Sequence, residues 1–258
     1  MSSDTCIWCL QHADGNGEEH IIPEALGCPP GFVLPGTVVC RKCNNGFADL
    51  DSAVIDEFDF QVLMAGIPRK KRRPPVIRSR GNVVGTIEED GPAISFNMNP
   101  VPITAHDGSR LAPYRGSRRD IRATFTHDEN LSRISFDAPF GQNQKFLRGI
   151  TKIAFSSLAY FLSVQLARSP TFFSIRGFVK HGEGDRHVLI SSSDDNHYFN
   201  CVWPPYISCS GSYIVTFRLA SVEFLVDLSE EESYIRKIQA AAQECFGEKN
   251  WCILPLET

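Results

Sequence analysis

The 258-residue chain predicts an α+β fold, with a small zinc-stapled N-terminal module followed by a larger mixed α+β domain. Three observations carry that expectation. Two C-x-x-C pairs, Cys6–Cys9 and Cys40–Cys43, sit close together near the start of the chain. Apolar residues then recur at three- and four-residue steps, at Phe47, Leu50, Val54 and Phe58, as one face of a helix requires. Beyond residue 76, short β-favouring runs bounded by Gly, Pro and Asn alternate with two further helical patterns.

The elements follow in chain order. EEHIIPEALG, Glu18 to Gly27, opens with a β-prone run that carries Glu19 and His20 back to back, and GTVVC, Gly36 to Cys40, reads as its return strand. The helix through Phe47–Phe58 ends at GIPRKKRRPP, where Gly66, Pro68, Pro74 and Pro75 break it. Residues 1–66 therefore form the first domain, 67–80 a basic Pro-containing linker, and 81–258 the second domain. GNVVGTIEEDG and AISFNMN read as strands, and residues 143–168 as a largely buried helix on Phe146, Ile150, Ile153, Phe155, Leu158, Phe161 and Leu162. Its apolar-rich stretch, Ile153 to Ala167, is interrupted by Ser156, Ser157, Ser163 and Gln165, and is too short and too polar to span a bilayer. TFFSIRGFV, HVLISSS, SYIVTFRL and VEFLVDL read as strands. A last helix starts at Ser229, where the serine and Glu232 match a capping box.

Nine cysteines without an N-terminal signal peptide argue for metal ligation or free thiols, and for the cytoplasm, rather than for disulfides. Each C-x-x-C presents two sulfurs, so two pairs can close a tetrahedral zinc site. Such an ion braces and does not react, because every coordination position is filled by protein. It would staple a segment too small to hold its own core, setting Cys6–Cys9 against the start of the helix at Cys40–Cys43. Asn44 then falls on the first helical turn beside the hairpin, so that Glu19, His20 and Asn44 are expected to converge. The remaining cysteines (Cys28, Cys201, Cys209, Cys245 and Cys252) have no ligand spacing and read as core or loop thiols.

The C-x-x-C, EHIIPEALG and VVCRKCNNGF motifs, followed by Asp51, together resemble the HNH endonuclease family, in its four-cysteine ββα-metal subgroup. The resemblance covers the N-terminal quarter only. It implies metal-dependent hydrolysis of DNA phosphodiesters, with His20 as the general base that deprotonates water. It also implies Glu19 and Asn44 as ligands of a catalytic Mg²⁺ or Mn²⁺, beside the structural Zn²⁺ on Cys6, Cys9, Cys40 and Cys43. The family's orienting asparagine has no counterpart in LPGTVVC; Thr37 is the nearest side chain able to take its role. Asp51 reads as a solvated helix position.

The net charge of −4 does not by itself favour a nucleic-acid partner, but its distribution does. Residues 1–68 hold two basic residues, Arg41 and Lys42, against ten acids, so the module repels a phosphate backbone. The run Arg69, Lys70, Lys71, Arg72 and Arg73 is the candidate DNA-binding element, since each cation that neutralises a phosphate releases counterions; a solvated linker is its other reading. The second domain is expected to recognise DNA, a small-molecule signal or a protein partner, which would suit a bacterial antiviral defence or restriction role. A homodimer would supply two sites for a paired cut, and no membrane is involved. The alternative to the enzyme is a catalytically inactive zinc-binding adaptor for nucleic acid or protein, and RNA is a further candidate substrate. Trp203, Tyr206 and Tyr213 read as core residues before pocket residues.

Overall fold

The computed structural model describes residues 4–65, 67, 76–77, 83–88, 91–96, 122–128, 131–137, 140–141, 143–192, 199–207, 211–229, 235–245 and 251–255. It has the expected α+β character. Its contacts divide the chain into two units, one made of residues 1–55 with 141–258 and the other of residues 56–140. The sequence reading separated the zinc segment from the C-terminal half at 67–80. The contacts instead join them, because their side chains share one core.

That first unit begins with β1 (Glu18–His20), paired antiparallel to β2 (Val33–Pro35), with Glu19 opposite Leu34 and His20 opposite Val33. The return strand is therefore three residues earlier than GTVVC. The backbone N–H groups of Val38 and Val39 both donate to the Pro35 carbonyl, at 2.8 and 3.1 Å, so Gly36 to Val39 turns instead of extending. Gly36 lies so close to the backbone of Gly15 and Asn16 that a Cβ would approach them to 2.6 Å. No other residue fits without a shift.

Helices α1 (Arg41–Gly46) and α2 (Ala48–Met64) follow. Phe47, Leu50 and Val54 are buried, as their spacing predicts, and the boundary between the two units falls within α2. Residues 143–168 form two helices, α3 (Gln144–Phe161) and α4 (Val164–Ala167). Asn143 caps α3 through its side chain, which accepts from Lys145 N at 2.9 Å. Ser163, in extended conformation, ends α3 and caps α4 by accepting from Gln165 and Leu166. Phe146, Ile150, Ile153, Phe155 and Leu158 are buried as expected, whereas Leu162 is exposed.

TFFSIRGFV is not a strand but the start of helix α5 (Phe173–His181). Ser169 and Pro170 open a 3-10 turn before it, Gly182 closes it in the left-handed region (φ 77°), and Ile175, Phe178 and Val179 are buried at helical spacing. Those start and stop signals outweighed the β-favouring composition of the run. Strands β8 (Val188–Ser192), β9 (Cys201–Val202), β10 (Tyr206–Ile207), β11 (Tyr213–Leu219), β12 (Val222–Asp227) and β13 (Cys252–Leu254) form one antiparallel sheet in the order β10-β11-β12-β8-β13, with β9 also on β11. Helix α6 (Ile235–Cys245) completes the unit. The Ser229 N–H donates to Asp227 Oδ1 at 2.8 Å, and Glu232 of the expected capping box lies outside the described residues.

A line of rings joins the two halves of this unit. Trp8 packs edge-on against Phe47 (4.9 Å between centroids) and Phe155 (4.8 Å), Phe155 meets Phe172 (5.3 Å), and Phe172 meets Tyr213 on the sheet (5.4 Å). Arg168 Nε donates to the Thr5 carbonyl at 2.7 Å. Trp203 and Tyr206, expected in the core, are 40% and 49% exposed, Trp203 just after β9 and Tyr206 on the edge strand β10.

The second unit holds a three-stranded antiparallel sheet, β3 (Val76–Ile77), β4 (Val83–Glu88) and β5 (Gly91–Phe96), and a separate hairpin, β6 (Arg122–Asp128) with β7 (Leu131–Asp137). The basic run Arg69–Arg73 lies outside the described residues.

Candidate metal centre and active site

The four cysteines of the two C-x-x-C pairs come together. Cys6 and Cys9 lie before β1, Cys40 at the N-cap of α1 and Cys43 within it, and their sulfurs all lie within 4.8 Å of one another. The Cys9–Cys40 sulfur separation is 3.8 Å, against about 3.8 Å expected along the edge of a tetrahedron with Zn–S bonds of about 2.3 Å. The backbone N–H groups of Trp8 and Cys40 both donate to Cys6 Sγ at 3.4 Å, the outer support that thiolate ligands take. Cys6 is pulled down to about 4, first by the thiol of Cys43 and then, against burial, by the N–H groups of Cys40, Cys9 and Trp8. Cys43 is pushed up as the donor in that bond and by burial. The donor set, the spacing and the ready thiolate at Cys6 fit a zinc ion. Among the described residues, no other group of three or more His, Cys, Asp or Glu side chains has metal-binding spacing.

The cluster positions the segment that carries the candidate catalytic residues. Asn44 follows Cys43 directly, and its side-chain Nδ2 donates to the Glu18 carbonyl of β1 at 2.9 Å. The helix and the strand are thus joined at Asn44 and at the residue before Glu19. His20 is half-buried and makes no side-chain hydrogen bond within the described residues. Thr37 does not orient it. The β1–β2 register runs from His20–Val33 to Glu18–Pro35, so Thr37 lies past the opposite end of the hairpin, with its methyl group facing Gly15.

Glu19 has the opposite orientation from its neighbours. Successive strand residues face opposite sides, and the burial sequence exposed–buried–half-buried sends Glu19 inward between Glu18 and His20. It is 1% exposed. There its Oε1 meets the ammonium of Lys152 on α3 at 2.5 Å, and the same ammonium meets Asp51 Oδ1 of α2 at 2.7 Å. The Lys152–Asp51 contact is a hydrogen bond. The Glu19 contact is an ion pair, and Glu19 Oε2 has no hydrogen-bond partner among the described residues. Burial pushes Glu19 up to about 7, against the pull of Lys152. Burial alone would lower Lys152, but Glu19 and Asp51 together hold it above its ordinary range, so it stays an ammonium.

Lys152 and Asp51 are the site residues that sequence reasoning missed. Lysine is almost never fully buried unless paired, and Lys152 interrupts an otherwise apolar helix face. That was the available signal. Its two partners lie more than a hundred residues away, Glu19 on a strand, where it read as a metal ligand, and Asp51 at a helix position that read as solvated.

No family model matches this chain, and neither does any curated protein or solved structure.

Proposed function

We propose that the β1–α1 segment is a hydrolytic site for nucleic-acid phosphodiesters, braced by a zinc ion on Cys6, Cys9, Cys40 and Cys43. The observation that carries this reading is the Asn44–Glu18 hydrogen bond. It ties the helix that holds two thiolates to the strand that ends in His20. In this reading His20 is the general base. A neutral imidazole can take a proton from water, and half-burial leaves it open to a substrate. Arg41 and Lys42, exposed on the first turn of α1, and Arg69–Arg73 supply the affinity for DNA.

The HNH resemblance also asks for Mg²⁺ or Mn²⁺ on Glu19 and Asn44. The residues do not fit that ion. The only carboxylate of the pair is buried against an ammonium, and a divalent cation there would face the charge of Lys152 at contact distance.

Incubating the zinc-loaded chain with plasmid DNA and with single-stranded RNA, with and without Mg²⁺ or Mn²⁺, tests the proposal. His20→Ala is expected to slow strand cleavage by about 10²–10⁴, the usual contribution of a general base. Equal rates for the two proteins would overturn the assignment. The buried Glu19–Lys152 contact also favours a second reading, in which the frame is a zinc-braced adaptor without hydrolytic activity. A wild-type chain that binds nucleic acid but cuts neither substrate in any of these buffers would establish the adaptor.

A further inference from the structure

We infer that Lys152 is the resident cation of this site, held on Glu19, the carboxylate that the HNH resemblance gives to a divalent metal. Three features support this. First, the ammonium is fully buried and touches carboxylates from two separate elements, β1 and α2, while itself belonging to a third, α3. A lysine whose only role was to pack would extend its head towards solvent; this one is aimed inward at two acids. Second, the site has spare acceptor capacity. Glu19 Oε2 is buried with no hydrogen-bond partner, as in a carboxylate pair shaped to hold a cation larger in charge than the one present. Third, the helix that delivers Lys152 is fixed against α2. One turn-pair earlier, Lys145 reaches Asp49 of α2 at 2.8 Å, and at Gly149 the two helices are so close that a Cβ would come to 2.5 Å from Val54 Cγ2. The ammonium is thereby pinned in place between the two carboxylates.

The consequence is a cation site closed to metal by the protein's own side chain. Lys152 touches neither His20 nor solvent, so it is a positioning residue: it holds the strand that ends in His20 against the helical layer and neutralises charge behind it. Removing the ammonium leaves Glu19 and Asp51 facing each other, two hard oxygen donors of the kind that take Mg²⁺ or Mn²⁺. The inference deepens the hydrolase reading and rests on it for the chemistry. What occupies the carboxylates can be read whether or not a strand is cut.

The experiment is Mn²⁺ binding to the zinc-loaded full chain, followed by loss of the free-ion EPR signal. Wild type is expected to show no site that depends on Glu19. Lys152→Ser is expected to gain one site at least tenfold tighter than any wild-type binding, lost again in Lys152→Ser with Glu19→Gln. Lys152→Arg keeps the cation and should behave as wild type. A wild-type Mn²⁺ site weakened tenfold or more by Glu19→Gln would overturn the inference, and that measurement needs no Lys152 variant to fold. A folded, zinc-loaded Lys152→Ser that gains no site would overturn it as well. Failure of the hydrolase reading is distinct from either: it is the absence of any difference between wild type and His20→Ala on nucleic acid.

Discussion

At the scale of single residues, the ion triad Glu19–Lys152–Asp51 is where the molecule departs most from what its motifs suggest. A buried pair is not a simple source of stability, since desolvating two ions offsets much of their attraction. Losing one partner is the expensive case. Lys152→Met is expected to cost about 3–5 kcal/mol in chemical unfolding, because it leaves Glu19 buried and uncompensated. Adding Glu19→Met should recover most of that loss. A Lys152→Met protein as stable as wild type would mean that Glu19 is protonated and needs no cation. The cysteine ligands were legible in the sequence because their spacing is local and chemically specific. Lys152 was not, because nothing near it in the chain signals its partners; only the tertiary fold brings β1 and α2 to it.

At the scale of elements, contact between α2 and α3 sets the position of everything behind the hairpin. Gly149 is the point of closest approach, with a Cβ position 2.5 Å from Val54 Cγ2 and 3.0 Å from the Leu50 carbonyl. Gly149→Ala is therefore expected to destabilise the protein by about 1–3 kcal/mol, the usual cost of overpacking, despite the better helix propensity of alanine. Combining it with Val54→Ala should return part of the loss, and additive losses in the double variant would place the clash elsewhere. Strands β8, β11 and β12 were readable from their β-branched and aromatic runs. α5 was misread because Phe, Ile and Val favour strands in general, while Ser169, Pro170 and Gly182 mark this segment as a helix. The return strand was misplaced because GTVVC has strand composition, yet Gly36 is where the chain must turn.

At the scale of the whole molecule, the zinc segment and the C-terminal sheet belong to one contact unit, joined through Trp8, Phe155, Phe172 and Tyr213. Stripping the metal should then loosen far more than the hairpin. Trp8 lies at the thiolate cluster, and Trp251 is buried in a separate cluster with Leu189, Ile214, Leu225 and Ala242. Single-tryptophan variants report the two regions independently. On chelation both reporters are expected to melt together at a lower temperature, by roughly 2–4 °C for every kcal/mol the metal contributed. A Trp251 transition that stays in place would mean that the sheet stands without the staple. This arrangement was hidden from the sequence because a linker-like basic run at 67–80 looks like a boundary, whereas the chain returns to its first unit at Gly141.

The split between residues 55 and 141 also fixes an order of events during synthesis. Asp51 and Lys152 are 101 positions apart, so at about 5–20 residues per second the lysine leaves the ribosome roughly 5–20 s after the aspartate. Throughout that interval the four thiols are already available, while Glu19 and Asp51 face water without their ammonium. Zinc capture can therefore precede the core, and the nascent chain passes through a stage in which its acids are open to any cation in the surrounding fluid. Arrival of α3 ends that stage by bringing Lys152 to both carboxylates.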